Sequence, residues 1–168
     1  MQKSSEYANG DWVVHAMYGI GQIEGVETKG ISGEETSYYR IETADSTYWM
    51  PVEQDSELIR RTASEKEMEE VAEILRRRPK AMSSNHTTRR SRIRSARLSN
   101  KPASIARIIR DLKARQAKKG KLNLKEKKAF SALKQRLAEE WAIAAGTRTE
   151  RIASRIDRIL RQQEPLTE

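Results

Sequence analysis

Ser64–Pro79, SEKEMEEVAEILRRRP, is the stretch where the chain changes its period. Ser64 with Glu67 has the form of a capping box, in which each side chain satisfies the other residue's backbone N–H at a helix start. Met68, Val71, Ala72 and Leu75 then recur at helical spacing. Arg78 stands before Pro79, and a residue in that position is pushed out of helical geometry, so the helix ends there. Everything upstream of Ser64 has to be read with a period of two, and everything downstream with a period of 3.6.

Upstream, Val13–Val14 opens an apolar run that Gly19 and Gly21 interrupt, and Gln22–Glu27 alternates. Gly19 and Gly21 suit sharp bends rather than a phosphate cradle, because no helix follows them. Lys29–Glu34 is a turn-rich connection, Ser37–Thr43 a second β-rich run, and Thr47–Met50, closed by Pro51, a third. Leu58–Arg60 is a short last strand. Short strands at this spacing predict a small antiparallel barrel.

Downstream, Lys80–Thr88 is a polar loop, and Pro102 opens a helix in which Ile105, Ile108, Ile109 and Leu112 share a face. Arg107, Arg110 and Lys118 are expected on the opposite face, with Gly120 as the stop. Asn123 and Glu126 start another helix, striped by Phe130, Leu133, Leu137, Trp141 and Ala144 and ended by Gly146. Thr147 with Glu150 is the expected cap of the last helix, which turns Ile152, Ile156, Ile159 and Leu160 inward. The fold class is therefore α+β, an N-terminal β-barrel over 1–63 followed by an all-α bundle over 64–168.

Charge divides the chain at nearly the same place. Residues 1–75 hold six basic and sixteen acidic side chains, a balance of −10, whereas residues 76–168 hold 27 and eight, a balance of +19. Such asymmetry predicts two units meeting different partners, and the basic one attracts nucleic acid by displacing counterions from phosphates. Five arginines, Arg89, Arg90, Arg92, Arg94 and Arg97, fall within nine positions. On a short helix they would project around much of the circumference, with only Ile93, Ala96 and Leu98 to anchor it. That pattern suits a phosphate backbone, with weak sequence choice.

Other functions find little support. The chain has no cysteine, which excludes disulfides and thiolate zinc sites. His15 and His86 are its only histidines and belong to no metal-ligand spacing, and His15, at a strand end, reads as structural or exposed. Glu69–Glu70 and Glu139–Glu140 are adjacent on helices and diverge by roughly 100°. No serine sits in a nucleophile elbow. Neither enzyme, metal nor cofactor is expected. With 34% charged residues, a mean hydropathy of −0.84 and no secretory or membrane-spanning run, the sequence predicts a soluble cytoplasmic protein without membrane contact.

Gly10–Asp11–Trp12–Val13–Val14–His15 and Tyr18–Gly19–Ile20–Gly21–Gln22–Ile23–Glu24 resemble the opening of the CarD/CdnL family of bacterial transcription regulators. So do Tyr38–Tyr39–Arg40–Ile41 and Met50–Pro51–Val52, and the barrel is also similar to the polymerase-interacting domain of transcription-repair coupling factor. Asn85–Leu98, Ile105–Leu112 (IARIIRDL) and Leu124–Ala144 (LKEKKAFSALKQRLAEEWAIA) follow the family's helical domain, so the resemblance covers roughly residues 8–160. It implies a regulator whose Tudor/SH3-like barrel binds the RNA polymerase β subunit by β-augmentation, and a nucleoid-associated monomer is expected. Its helical domain would sit on promoter DNA and stabilise the open complex. Lys29, Thr47, Tyr48, Trp49 and Met50 occupy the polymerase-binding positions. His86, Thr87, Arg89, Arg90, Arg92, Arg94 and Arg97 form the DNA-binding set. Many members carry a minor-groove wedge tryptophan where this chain has His86 and Thr87. The second reading is a general nucleic-acid-binding architectural protein whose barrel is purely structural.

Overall fold

A computed structural model of the chain describes residues 6–31, 33–53 and 56–166. Five strands precede five helices, as the α+β expectation requires. The strands are β1 (Trp12–His15), β2 (Gly19–Ile31), β3 (Glu34–Glu42), β4 (Thr47–Pro51) and β5 (Ile59–Arg61). The helices are α1 (Glu65–Arg76), α2 (His86–Ser99), α3 (Pro102–Lys119), α4 (Leu124–Ala145) and α5 (Thr149–Arg161). Met1–Thr62 and Ala63–Glu168 form separate compact units.

In the first unit the strands make one antiparallel sheet in the order β4-β3-β2-β1-β5. Every strand contributes to a single core: Val13, Ile23, Tyr39, Ile41, Met50 and Ile59 are buried together with Tyr7. A sheet whose two end strands share a core must curl, and it stays unpaired between β4 and β5 among the described residues. Lys29–Glu34, expected as a connection, lies mostly in strand. Ile31 pairs with Glu34, and the chain reverses within two residues, of which Gly33 has φ 83°. A left-handed glycine is what tight hairpin turns require, so one such residue lets both strands run on. Gly19 is also left-handed, at φ 78°. Gly21 is not a bend. It pairs with Val13, and a Cβ there would lie 2.8 Å from Ile41 Cγ2, so glycine serves close packing.

In the second unit all five helices feed one core, including Leu75, Ala96, Ile109, Leu112, Leu137, Trp141 and Ile156. The capping boxes at Ser64 and Asn123 are both formed, and Gly120 and Gly146 end α3 and α4 in left-handed geometry. Arg155 clamps Glu69 through both carboxylate oxygens at 3.1 Å and lies 4.7 Å above the Trp141 ring, which ties α5 to α1 and α4. That clamp holds the Glu69 carboxyl below the usual carboxylate range.

Three helix details differ from expectation. The residue at the N-cap of α5 is Arg148, without a side-chain cap, so Thr147 with Glu150 makes no capping box. Arg110 is buried rather than outward, because its Nε meets Asp111 Oδ1 at 2.8 Å. α2 begins at His86, three residues before the arginine run, because Asn85 Oδ1 accepts from the N–H groups of Thr87 and Thr88.

Candidate interaction surfaces

The first surface lies on β4, an end strand of the sheet. Thr47, Trp49 and Pro51 face outward while Tyr48 and Met50 pack inward, as a period of two demands. Val52 donates its N–H to Ser37 O (2.9 Å), which fixes the side of β4 bonded to β3. Alternation then turns the main-chain groups of Thr47 and Trp49 to the open edge. Trp49, 43% exposed, is held by its neighbours. Lys29 Nζ sits 3.9 Å above its ring, and its indole N–H donates to Glu27 Oε2 at 3.0 Å. Arg40, cross-strand from Trp49, pairs with Glu42 at 2.7 Å. Of the expected polymerase set, Lys29, Thr47 and Trp49 offer side chains to solvent. Tyr48 and Met50 do not, because their side chains complete the core.

Tyr48 instead stacks in a ring cluster with Tyr18 (4.6 Å) and His15 (5.5 Å). His15 Nδ1 accepts from the N–H groups of Met17 (3.0 Å) and Tyr18 (3.3 Å), so this histidine shapes the β1–β2 turn. The Tyr48 hydroxyl is buried without a hydrogen-bond partner, and burial pushes its pKa from 10.0 to about 12. Below pH 10 the hydroxyl is protonated in folded and unfolded chains alike. Between about pH 10 and 12 only the unfolded chain releases the proton, so stability falls as pH rises through that window. Tyr48→Phe is expected to flatten this alkaline loss, leaving the weaker contribution of Tyr7, whose pKa burial also raises. At pH 7 it should leave the barrel equally or more stable, since it removes an unsatisfied hydroxyl. Urea titrations at both pH values check this, and an undiminished alkaline slope in the variant would contradict it.

The second surface is α2. Its buried face holds Arg89 and Ala96, with Ile93 half-buried. Leu98, expected as an anchor, is 38% exposed. Arg89 replaces it: its Nε meets Glu126 Oε1 at 2.6 Å, and its Nη1 donates to Ser83 O (2.9 Å) and Ser84 O (2.8 Å). Arg89 therefore points into the fold, because only there can a carboxylate and two loop carbonyls satisfy it. Arg92, part-exposed, meets Asp111 Oδ2 at 2.5 Å, and Asp111 also takes Arg110 and the Lys80 N–H. Asp111 and Glu126 lie 19 and 37 positions from Arg92 and Arg89, so no local sequence pattern brings them to α2.

The outward face is different. At 100° per residue, His86, Thr87, Arg90, Arg94 and Arg97 share an arc of about 100°. All five are exposed, and Arg90, Arg94 and Arg97 have no ion-pair partner among the described residues. The three guanidinium groups span about 10 Å of helix at 1.5 Å per residue. The positions expected for a wedge, His86 and Thr87, open this face in the first turn of α2.

Residues 7–63 match the CarD-like/TRCF RID domain, and residues 70–157 match the CarD C-terminal domain. The chain belongs to the CarD family. Together the two matches span both compact units, in the order in which the sequence resemblance placed them. Family membership makes this an RNA polymerase-interacting transcription regulator, and CarD proteins are non-catalytic. No helix among the described residues is long and apolar enough to cross a membrane. In this CarD-family chain, what sequence reading missed is the support around each surface: Glu27 and Arg40 beside Trp49, and Glu126 and Asp111 beneath α2. Asn85 alone carried a local signal, as a capping residue directly before the helix.

Proposed function

We propose that residues 1–63 bind the β subunit of RNA polymerase, that residues 64–168 bind promoter DNA, and that the protein thereby stabilises the open promoter complex. The observation that carries this reading is the division of labour on α2. Arg89 and Arg92 are consumed by buried carboxylates, while Arg90, Arg94 and Arg97 stay unpaired on one outward arc. An arc of unpaired guanidinium groups suits phosphates, which supply affinity and position rather than sequence choice. On the polymerase side, the open edge of β4 can accept a strand through the main chain of Thr47 and Trp49. The Trp49 ring, held by Lys29 and Glu27, supplies a rigid aromatic anchor beside it. Thr87 cannot fill an unstacked base step and His86 can do so only weakly, so bubble stabilisation here rests chiefly on backbone contacts rather than a wedge.

The polymerase half is tested by affinity for an isolated β-subunit fragment. Trp49→Ala is expected to weaken it by about 30-fold or more, the effect of losing a central aromatic anchor. Trp49→Pro also deletes the edge N–H, at a position where an edge strand tolerates proline, and should weaken binding further. Equal losses in the two variants would argue against strand addition. Absence of affinity in the wild type at low micromolar concentration would leave the barrel structural and favour a general nucleic-acid-binding role.

A further inference from the structure

Beside the N-terminal end of α2 the helical unit contains a cavity of about 250 Å³. Arg115, Lys118 and Lys119 line it from α3, and Ser84 lines it from the loop that enters α2. Met82 and Leu166 supply apolar wall. None of the described lining residues is acidic. Among the described residues the carboxylate that reaches Arg115 is that of Glu126, 3.8 Å from its Nε, and it is already held by Arg89 at 2.6 Å. Arg115 Nε is buried without a hydrogen bond. Three cations around a recess, one with a buried Nε that makes no hydrogen bond and shares its carboxylate with Arg89, leave a positive site that an anion would satisfy.

The chemistry narrows the anion. No described lining residue is aromatic, so among them a nucleobase would have no surface to stack on. The mixture of cations, a hydroxyl and aliphatic wall suits a phosphate together with its sugar. Ser84 lies two residues before His86, where the outward arc of α2 begins, so the cavity lies beside the start of that helix. We propose that this cavity receives one backbone phosphate of the bound duplex and so extends the nucleic-acid face from α2 to the C-terminal end of α3. The inference rests on the DNA-binding reading above.

The test is the salt dependence of full-length protein binding to a short duplex, for the wild type and for Lys118→Gln/Lys119→Gln. Both lysines are exposed, so the variant keeps its fold. Loss of one phosphate contact should reduce the slope of log K against log salt by about 0.9. Between 50 and 200 mM salt the wild type would then lose about 3.5-fold more affinity than the variant, as that slope requires. Ethylation interference should show at least one backbone position that hinders the wild type and not the variant. An unchanged slope with an identical interference pattern would overturn the proposal while leaving DNA binding by α2 intact. A wild type that bound no duplex would instead remove the DNA-binding reading itself. Saturable, Lys118-dependent binding of inorganic pyrophosphate, with duplex binding unaltered in the variant, would assign the cavity to a free anion and overturn the proposal too.

Discussion

Glu126→Ala is expected to destabilise the helical unit by about 3–5 kcal/mol, the cost of leaving a buried charge without its partner. Arg89 and Glu126 are only 7% and 6% exposed at their side chains, so water cannot replace the lost carboxylate. The substitution also removes half of the Asn123 capping box and the charge partner of Arg115 among the described residues. Two loop carbonyls remain on Arg89, but they neutralise nothing. For a unit of this size the melting temperature should drop by at least about 10 °C. Arg89→Met/Glu126→Leu replaces the pair with apolar groups of similar volume and should recover most of the loss. Calorimetry of the two variants decides this, and a loss below about 1 kcal/mol for Glu126→Ala would mean the pair is solvated. The double variant also separates two roles for Arg89. If Arg89 pins α2, duplex affinity survives in the refolded double variant; if it contacts phosphate, affinity falls despite the restored fold.

Arg90→Gln/Arg94→Gln/Arg97→Gln should have the opposite profile, with little effect on stability and a large one on binding. All three side chains are exposed, and substitutions at such sites stay within about 0.5 kcal/mol. Each phosphate contact contributes about 0.9 to the salt slope, so three account for about 2.7. At 0.1 M salt that corresponds to a loss on the order of 10² to 10³ in duplex affinity. Fluorescence anisotropy across a salt series measures both quantities. Arg92→Gln should cost less than any of the three, because Asp111 already engages its guanidinium. A triple variant that bound DNA like the wild type would move the nucleic-acid face elsewhere on the basic unit.

Which parts of this were legible in the sequence follows from the range of the interactions involved. Ser64 with Glu67, Asn123 with Glu126 and the glycines after α3 and α4 act within one helical turn, so their signals are local and the helix ends follow from them. The apolar stripes of α3 and α4 are equally local. Gly33 acts locally too, but how far strands continue on either side depends on cross-strand pairing, which no single run reveals. The charged core was the hardest to see. Arg89 and Arg92 look like their exposed neighbours in a basic sequence, and only the packing of α2 against α4 and α3 brings Glu126 and Asp111 to them. Hence the arginines, expected around much of the helix circumference and facing phosphate, divide instead between pins and an exposed arc. On β4 the alternation itself indicated that Tyr48 and Trp49 face opposite ways. The open edge became visible only with the strand order.

The lifetime of the open complex formed by cognate polymerase on a purified promoter, with and without the protein, tests the proposed bridge most directly. The full-length wild type should lengthen it. Trp49→Pro and Arg90→Gln/Arg94→Gln/Arg97→Gln should each abolish the effect, since either change cuts one end of the bridge. A lifetime unchanged by the wild type, or one lengthened equally by both variants, would contradict it.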